Sequence, residues 1–145
     1  GSANSTGSAM PLISQEAPIQ AAQPGDASVG RPELLLRTQA LLRLGRAIEI
    51  TGALQTWVTT HPKDATAWQT LASVWQAQGQ ALRSVRAEAE AQAAQYDYAA
   101  AVDRFKAGQD LARRGGASVD HIEASIIDTR LRTMQSLLKE QAAER

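Results

Sequence analysis

The chain has 145 residues, of which 43% are apolar and 21% are charged, a balance typical of a folded domain. Fifteen basic and fifteen acidic residues cancel, so the sequence lacks the electrostatic signature of a nucleic-acid or anionic-membrane binder. The absence of cysteine excludes disulfides and thiolate metal sites. Ala is abundant and Val and Ile are few, which favours an all-α fold.

Residues 1–30 differ in composition from the rest of the chain. They contain no Lys or Arg, are rich in Ser, Gly, Ala, Gln and Pro, and show no sustained apolar period. We therefore predict a disordered lead-in over residues 1–30, and its first ten residues, GSANSTGSAM, resemble a cloning remnant. These residues carry no recognisable secretory signal, and the apolar runs of the chain are too short to cross a bilayer. The folded domain is expected over residues 31–145.

From Arg31 onward, apolar residues recur at steps of three and four, and short breaks with Gly or Pro separate the segments. The predicted helices cover about 32–44, 47–60, 65–78, 81–94, 98–113 and 118–140. Asp64 and Asp97 are expected to cap the third and fifth helices, and Ser118 or Asp120 the sixth. Because the loops are short, consecutive helices should be antiparallel neighbours.

Two glycines, Gly45 and Gly79, each end a predicted helix and lie 34 residues apart. Within a 34-residue unit starting at Ala65, the residues at positions 4, 7, 8, 11 and 15 are Trp68, Leu71, Ala72, Trp75 and Gly79, and Pro62 holds position 32 of the unit before. These positions resemble the tetratricopeptide repeat (TPR). The large residues form one helix face, the small residue admits the partner helix, and the glycine makes the turn.

The neighbouring units match the same pattern less closely. The unit that starts at Arg31 keeps Gly45 and Trp57 in register, but Arg37 and Thr38 replace the expected Leu and small residue. Further on, a third match places Ala101 and Phe105 at repeat positions after Tyr96-Asp97-Tyr98. We predict a TPR-like antiparallel helical-hairpin solenoid with units at about 31–64 and 65–98, a degenerate cap at 99–141 and a long C-terminal closing helix.

Two stretches, HPKDATAWQTLASVWQAQGQALRSVRAEAEAQAAQYDYAAAVDRFKAGQDLAR and DHIEASIIDTRLR, carry a more specific resemblance. They are similar to the C-terminal TPR region of bacterial periplasmic zinc metallopeptidases, the group that includes the β-barrel assembly-enhancing protease. The resemblance implies a parent enzyme with a zinc-binding HExxH domain, and a TPR region that contacts outer-membrane assembly machinery and substrates. The chain itself has no HExxH, since His61 and His121 stand alone, so the family's catalytic residues have no counterpart here.

The repeat register assigns Trp68, Trp75 and Trp57 to helix packing rather than to a ligand-stacking site. The binding surface is expected instead on the concave face, at unit positions that point away from the packed side. The candidate groove residues are Leu35, Gln39, Leu42 and Arg43 in the first unit and Thr66, Gln69, Ser73 and Gln76 in the second. The alternative is that the sixth helix or the parent's own catalytic domain fills this groove.

The sequence thus predicts a protein-interaction module without catalytic activity, cofactor or metal of its own. From the resemblance, we expect it to be the partner- or substrate-binding part of an exported zinc metalloprotease in envelope protein quality control, located in the periplasm. Its partner would be a protein or peptide, such as the outer-membrane assembly machinery or the parent's catalytic domain, and neither nucleic acid nor membrane insertion is expected. The alternative is a standalone TPR adaptor or assembly factor without a protease parent.

Overall fold

The computed structural model describes residues 30–116 and 119–144, and every regular element in those ranges is helical. The α-helices are α1 (Arg31–Arg43), α2 (Thr51–Thr60), α3 (Ala65–Ala77), α4 (Ala81–Ala94), α5 (Tyr98–Gly115) and α6 (His121–Ala143), and a 3₁₀ helix (Ala47–Glu49) lies between α1 and α2. The predicted all-α class is confirmed. The predicted disordered lead-in, apart from Gly30, and the alternative cap Ser118 lie outside the described residues.

The helices stack as successive hairpins. The most extensive contacts join α3 to α4, α4 to α5 and α5 to α6, while α1 and α2 pack on α3. This order agrees with the predicted TPR-like solenoid of helical hairpins. The last helix, α6, packs against α5 and, less extensively, against α4. It therefore closes the C-terminal end of the array.

Helix α4 lies between two apolar cores, the first on its N-terminal side in the stack and the second on its C-terminal side. Its Ala87, Ala91 and Ala94 face the core built by α1, the 3₁₀ helix, α2 and α3, whereas Ala89 and Ala93 face the core built with α5 and α6. Alanine side chains let helices approach from both sides, and they favour the helical conformation. The alanines of α4 thus pack against both cores.

Three aspartates begin three of the helices. Asp64, Asp97 and Asp120 each accept a hydrogen bond from the backbone N–H three residues later, at 3.1, 3.1 and 3.0 Å. A side-chain oxygen in this position satisfies an N–H group that has no partner within the helix. The predicted caps are confirmed, with Asp120 capping α6.

Three helix ends share one backbone arrangement. Gly45 and Gly79 both have φ = +71°, and the N–H of the following residue bonds to the carbonyl five residues before it. This is the Schellman pattern of helix termination, which favours glycine. At the end of α4, Tyr96 adopts φ = +64° with the same hydrogen bonds, so a non-glycine residue holds this position there.

The predicted second helix, residues 47–60, is wrong at its start. Residues Ala47–Glu49 form a 3₁₀ turn, and α2 begins only at Thr51. Between them Ile50 has φ = −114° and is completely buried, as Ala47 nearly is. The break lets the side chains of Ala47 and Ile50 pack into the core that α1 and α3 share. The free energy gained by burying them outweighs the helix propensity of this segment. The other predicted boundaries agree with the structure to within a few residues.

Candidate functional site

Helix α3 has two chemically different faces. Trp68 and Leu71 are 8% and 3% exposed and belong to the first core together with Ala72. The indole N–H of Trp68 donates to the carbonyl oxygen of Pro62 at 2.9 Å, so its polar atom is satisfied by the preceding turn. Trp68 therefore packs within the domain, whereas another face of α3, with Gln69, Ser73 and Gln76, is exposed to solvent.

The other two tryptophans are half-buried and have polar neighbours. Trp75 packs on the first core, and the guanidinium of Arg83 lies 5.0 Å from its ring centre. Trp57 stacks on His61 at 3.8 Å, and its indole N–H donates to Asp64 at 2.9 Å. Trp57 therefore contacts the N-terminus of α3, and both rings are engaged within the domain.

The remaining repeat positions lie where the register predicts a structural role. Ala101 and Phe105 on α5 are completely buried in the second core. Pro62 stands in the turn before α3, and Gly45 and Gly79 make the helix-ending turns.

Three of the eight candidate groove residues meet in one surface depression. Gln69, Ser73 and Gln76 are exposed and line a hollow of about 430 Å³ between α3 and α4. The lining is completed by two alanines of α3 and two polar residues of α4: Ala72, Ala77, Ser84 and Glu88. We call this hollow the α3–α4 depression.

The other five candidates do not line the α3–α4 depression. Thr66 is exposed one turn before Gln69, and on α1 Gln39 and Arg43 are exposed while Leu35 and Leu42 are half-buried. Leu42 packs against the first core instead. The candidates of the first unit and Thr66 therefore lie outside this depression, and their part in a groove stays a prediction.

Hydrogen bonds hold the α4 side of the α3–α4 depression in place. The hydroxyl of Ser84 donates to the carbonyl of Ala72 at 2.9 Å and lies 3.3 Å from Oε1 of Gln76. Glu88 accepts from Arg104 of α5 at 3.3 Å. The hollow thus has small residues on its floor, two carboxamides along one edge and a charged pair at the other.

Sequence reasoning missed Ser84, Glu88 and Arg104 at this site. Ser84 sits within an alanine-rich helix, and its role depends on the approach of α4 to α3. Glu88 and Arg104 are sixteen residues apart on different helices. No local spacing rule pairs such residues, although the small side chain of Ser84 among alanines was a signal of close helix contact.

A second charged cluster joins α4 to α6. Arg130 donates two hydrogen bonds to the buried Glu90, at 2.7 and 2.9 Å, and Arg86 lies on the same carboxylate at 3.4 Å. Arg83 pairs with Asp120 at 2.9 Å. The contact between α4 and α6 therefore combines the apolar core around Ala89 and Ala93 with ion pairs beside it.

Glu123 lies at the edge of this cluster, where the ion pair of its buried carboxylate is long. Its side chain is only 8% exposed, and its nearest cation, Arg86, is 3.8 Å away. Burial raises the pKa of Glu123 above its ordinary value, and the positive charge of Arg86 only partly opposes this. The carboxylate borders a small cavity of about 120 Å³ that is also lined by Trp68 and Trp75.

The described residues contain no group of three or more His, Asp or Glu side chains placed to hold a metal ion. In residues 30–116 and 119–144, no helix combines the length and apolarity needed to cross a membrane. Comparisons with protein-family models, with curated proteins and with solved structures found no match for this chain.

Proposed function

We propose that this chain is a non-catalytic protein-interaction module that binds polypeptide segments in the α3–α4 depression. The observation that carries the proposal is the convergence of Gln69, Ser73 and Gln76 in one hollow, on the helix face opposite the tryptophans. Carboxamides both donate and accept hydrogen bonds, as peptide groups do, so they suit an extended backbone or polar side chains.

The shape and charge of the α3–α4 depression support the same ligand class. Ala72 and Ala77 provide a floor that a backbone can approach closely, and Glu88 is already neutralised by Arg104. Among the described residues that line the hollow there is no cation to hold a terminal carboxylate, so a segment within a chain fits better than an acidic tail. Helix α6 packs on α5 and α4, and none of the described residues that line the depression belongs to it.

We further propose that the module belongs to an exported zinc-dependent metalloprotease and acts in the periplasm on envelope proteins. The resemblance of the α3–α5 sequence and of the IEASIIDTRLR stretch in α6 to that family supports this context. The module would then hold unfolded substrate or assembly machinery near a separate catalytic domain that contains the zinc. An HExxH helix in the reading frame upstream of the module tests this context, and a complete frame without it contradicts the context.

The binding surface is tested with unfolded β-casein as the probe, by fluorescence anisotropy of the labelled casein. The double variant Gln69→Glu/Gln76→Glu should weaken binding about tenfold or more, because two donors become acceptors and two charges enter the hollow. Gln76→Glu leaves a side-chain oxygen that can still accept the hydrogen bond from the Ser84 hydroxyl, so the melting temperature should stay unchanged. The control variant Gln80→Glu/Gln95→Glu adds the same charge at exposed sites on the ends of α4 and should bind normally.

Equal weakening in both double variants would assign the effect to net charge and contradict a site in the α3–α4 depression. Unchanged binding in the Gln69→Glu/Gln76→Glu variant would also contradict it. The same casein samples, incubated with and without zinc, should show no cleavage on a gel. Chelator-sensitive proteolysis by the purified chain would overturn the non-catalytic assignment.

A further inference from the structure

A small cavity lies where α2, α3, α4 and the first turn of α6 meet. It measures about 120 Å³ and shares none of its described lining residues with the α3–α4 depression. The indole rings of Trp68 and Trp75 belong to its wall, and Gln55 and Thr59 of α2 line it as exposed residues, so it is reached from solvent beside α2. A cavity of about 150 Å³ holds one benzene ring, so this one suits a ligand of that size or smaller. We call it the tryptophan cavity.

The carboxylate of Glu123 borders the tryptophan cavity without a hydrogen bond from any residue in the described ranges. Its side chain is 8% exposed, and its nearest cation, Nη1 of Arg86, lies 3.8 Å from Oε2, which is beyond hydrogen-bond distance. A buried charged acceptor without a donor costs free energy. A ligand that donates an N–H or O–H group to Glu123 from within the cavity would remove that cost.

Two guanidinium groups line the same cavity. That of Arg83 lies 5.0 Å from the ring centre of Trp75, and that of Arg86 lies 5.5 Å from the ring centre of Trp68. Arg83 uses one nitrogen, Nη2, on Asp120 at 2.9 Å, and its other N–H groups have no hydrogen-bond partner in residues 30–116 and 119–144. The cavity therefore has donors available on Arg83 as well as an acceptor on Glu123.

The charges around the tryptophan cavity favour a neutral ligand. Arg83 is paired with Asp120, and Arg86 is paired with Glu90 and, at longer distance, with Glu123. A cationic ligand would meet the two guanidinium groups, and an anionic ligand would meet the Glu123 carboxylate. A primary amide is neutral and planar, and it carries donor and acceptor atoms side by side. It therefore matches both the polar groups and the flat indole walls.

We propose that the tryptophan cavity binds a small primary amide, whose N–H groups donate to Glu123 and whose carbonyl oxygen accepts from Arg83. The amide can belong to a free aromatic molecule or to the carboxamide side chain of a polypeptide, because both present the same polar end. The site does not involve the α3–α4 depression, so its test is independent of peptide binding there.

The test is a titration of the ¹⁵N-labelled full chain with benzamide and, separately, with N-acetylglutamine methylamide, followed through the indole N–H signals. The signals of Trp68 and Trp75 should shift, whereas Trp57, which does not line the cavity, serves as the internal reference. A response to benzamide supports a free aromatic amide as ligand, and a response to the glutamine derivative supports a polypeptide side chain. Benzoate and benzylammonium keep the ring but carry a charge, and both should bind at least about tenfold more weakly than benzamide.

Variants test the assigned roles. Glu123→Gln should weaken benzamide binding by at least about tenfold without lowering the melting temperature, because the hydrogen bond to an ionised acceptor is lost. Arg83→Gln should weaken it as well, and circular dichroism checks that both variants are folded. Glu140→Gln, the same chemical change at an exposed position of α6 outside the cavity, is the matched control and should bind normally.

Three results would overturn the proposal. The first is an unchanged spectrum with both amides at about 10 mM. The second is benzoate or benzylammonium binding as tightly as benzamide. The third is normal amide binding by the Glu123→Gln variant, which would show that the carboxylate does not contact the ligand.

Discussion

Asp64 connects three helices through one carboxylate. It caps α3 through the N–H of Ala67, accepts the indole N–H of Trp57 at the end of α2, and receives two hydrogen bonds from Arg31 at the start of α1. Its side chain is 11% exposed. These contacts, with the Arg31 hydrogen bond as the largest cause, lower the pKa of Asp64 from 3.8 to about 2. Replacement of this single residue should therefore loosen the whole N-terminal unit.

The expected size of the effect follows from the separate contacts. An aspartate N-cap and the indole hydrogen bond are each worth about 1 kcal/mol, and the ion pair with the exposed Arg31 adds little because solvent screens it. Asp64→Ala should thus lower the free energy of unfolding by about 2 kcal/mol. Asp64→Asn keeps a capping oxygen and should lose only about 1 kcal/mol.

Asp97→Ala is the matched control for this prediction. Asp97 caps α5 with the same 3.1 Å bond but is exposed and makes no ion pair with any residue in the described part of the chain. Its replacement should cost only the cap, about 1 kcal/mol. Urea unfolding followed by circular dichroism measures all three variants. If Asp64→Ala costs no more than Asp97→Ala, Asp64 is only a cap and the connection of three helices is refuted.

The pH dependence gives an independent check on Asp64. Its folded pKa lies below its unfolded value, so its contribution is complete above about pH 4 and disappears as the pH falls toward 2. The shift corresponds to about 2 kcal/mol at most, and to less after allowance for solvent at the exposed side of the Arg31 pair. Wild type should lose its advantage over Asp64→Asn within this window. A constant difference between the two proteins from pH 7 to pH 2 would contradict the charge-dependent part.

Two further predictions concern the helix ends and the α4–α6 contact. Gly79→Ala should destabilise the fold by about 1 kcal/mol because φ is positive there, while Gly52→Ala, where a new Cβ meets open space in α2, should stabilise it by about 0.5–1 kcal/mol; thermal unfolding of both variants checks the opposite signs. Burial raises the folded pKa of Glu123, so the ionised form costs stability as the pH rises above 4.5, and Glu123→Gln should be more stable than wild type at pH 7. This difference should shrink below pH 4.5, and a less stable Gln variant at pH 7 in chemical denaturation would show that the pair with Arg86 dominates instead.

Local sequence signals predicted the helices and most of their ends. Asp64 and Asp97 were recognisable as caps because capping depends on a backbone N–H three residues away, and Gly79 was recognisable because its turn needs positive φ. The predicted end of α4 at residue 94 is confirmed, although Tyr96 holds the left-handed conformation there without glycine. The helical pattern failed at Ile50, where a 3₁₀ turn and a buried side chain interrupt the predicted second helix.

Local patterns in the sequence did not predict the side-chain contacts between helices that are far apart in the chain. The pairing of Glu90 with Arg130 spans forty residues, and Glu88 with Arg104 spans sixteen. Such pairs depend on the crossing angle and the register of packed helices. The apolar pattern does not determine that register to better than several residues. The sequence identified exposed residues on α3 that line the α3–α4 depression, whereas the candidates on α1 lie outside it and stay predictions.

The most direct measurement is a titration of the ¹⁵N-labelled chain with unlabelled β-casein, followed by amide NMR spectra. A peptide-binding α3–α4 depression predicts shifts or broadening for the side-chain amides of Gln69 and Gln76 and for the backbone amides of Ser73 and Ser84. Signals of the outer face of α6 should stay unchanged. An unperturbed spectrum, or changes confined to α6, would contradict the proposed binding surface.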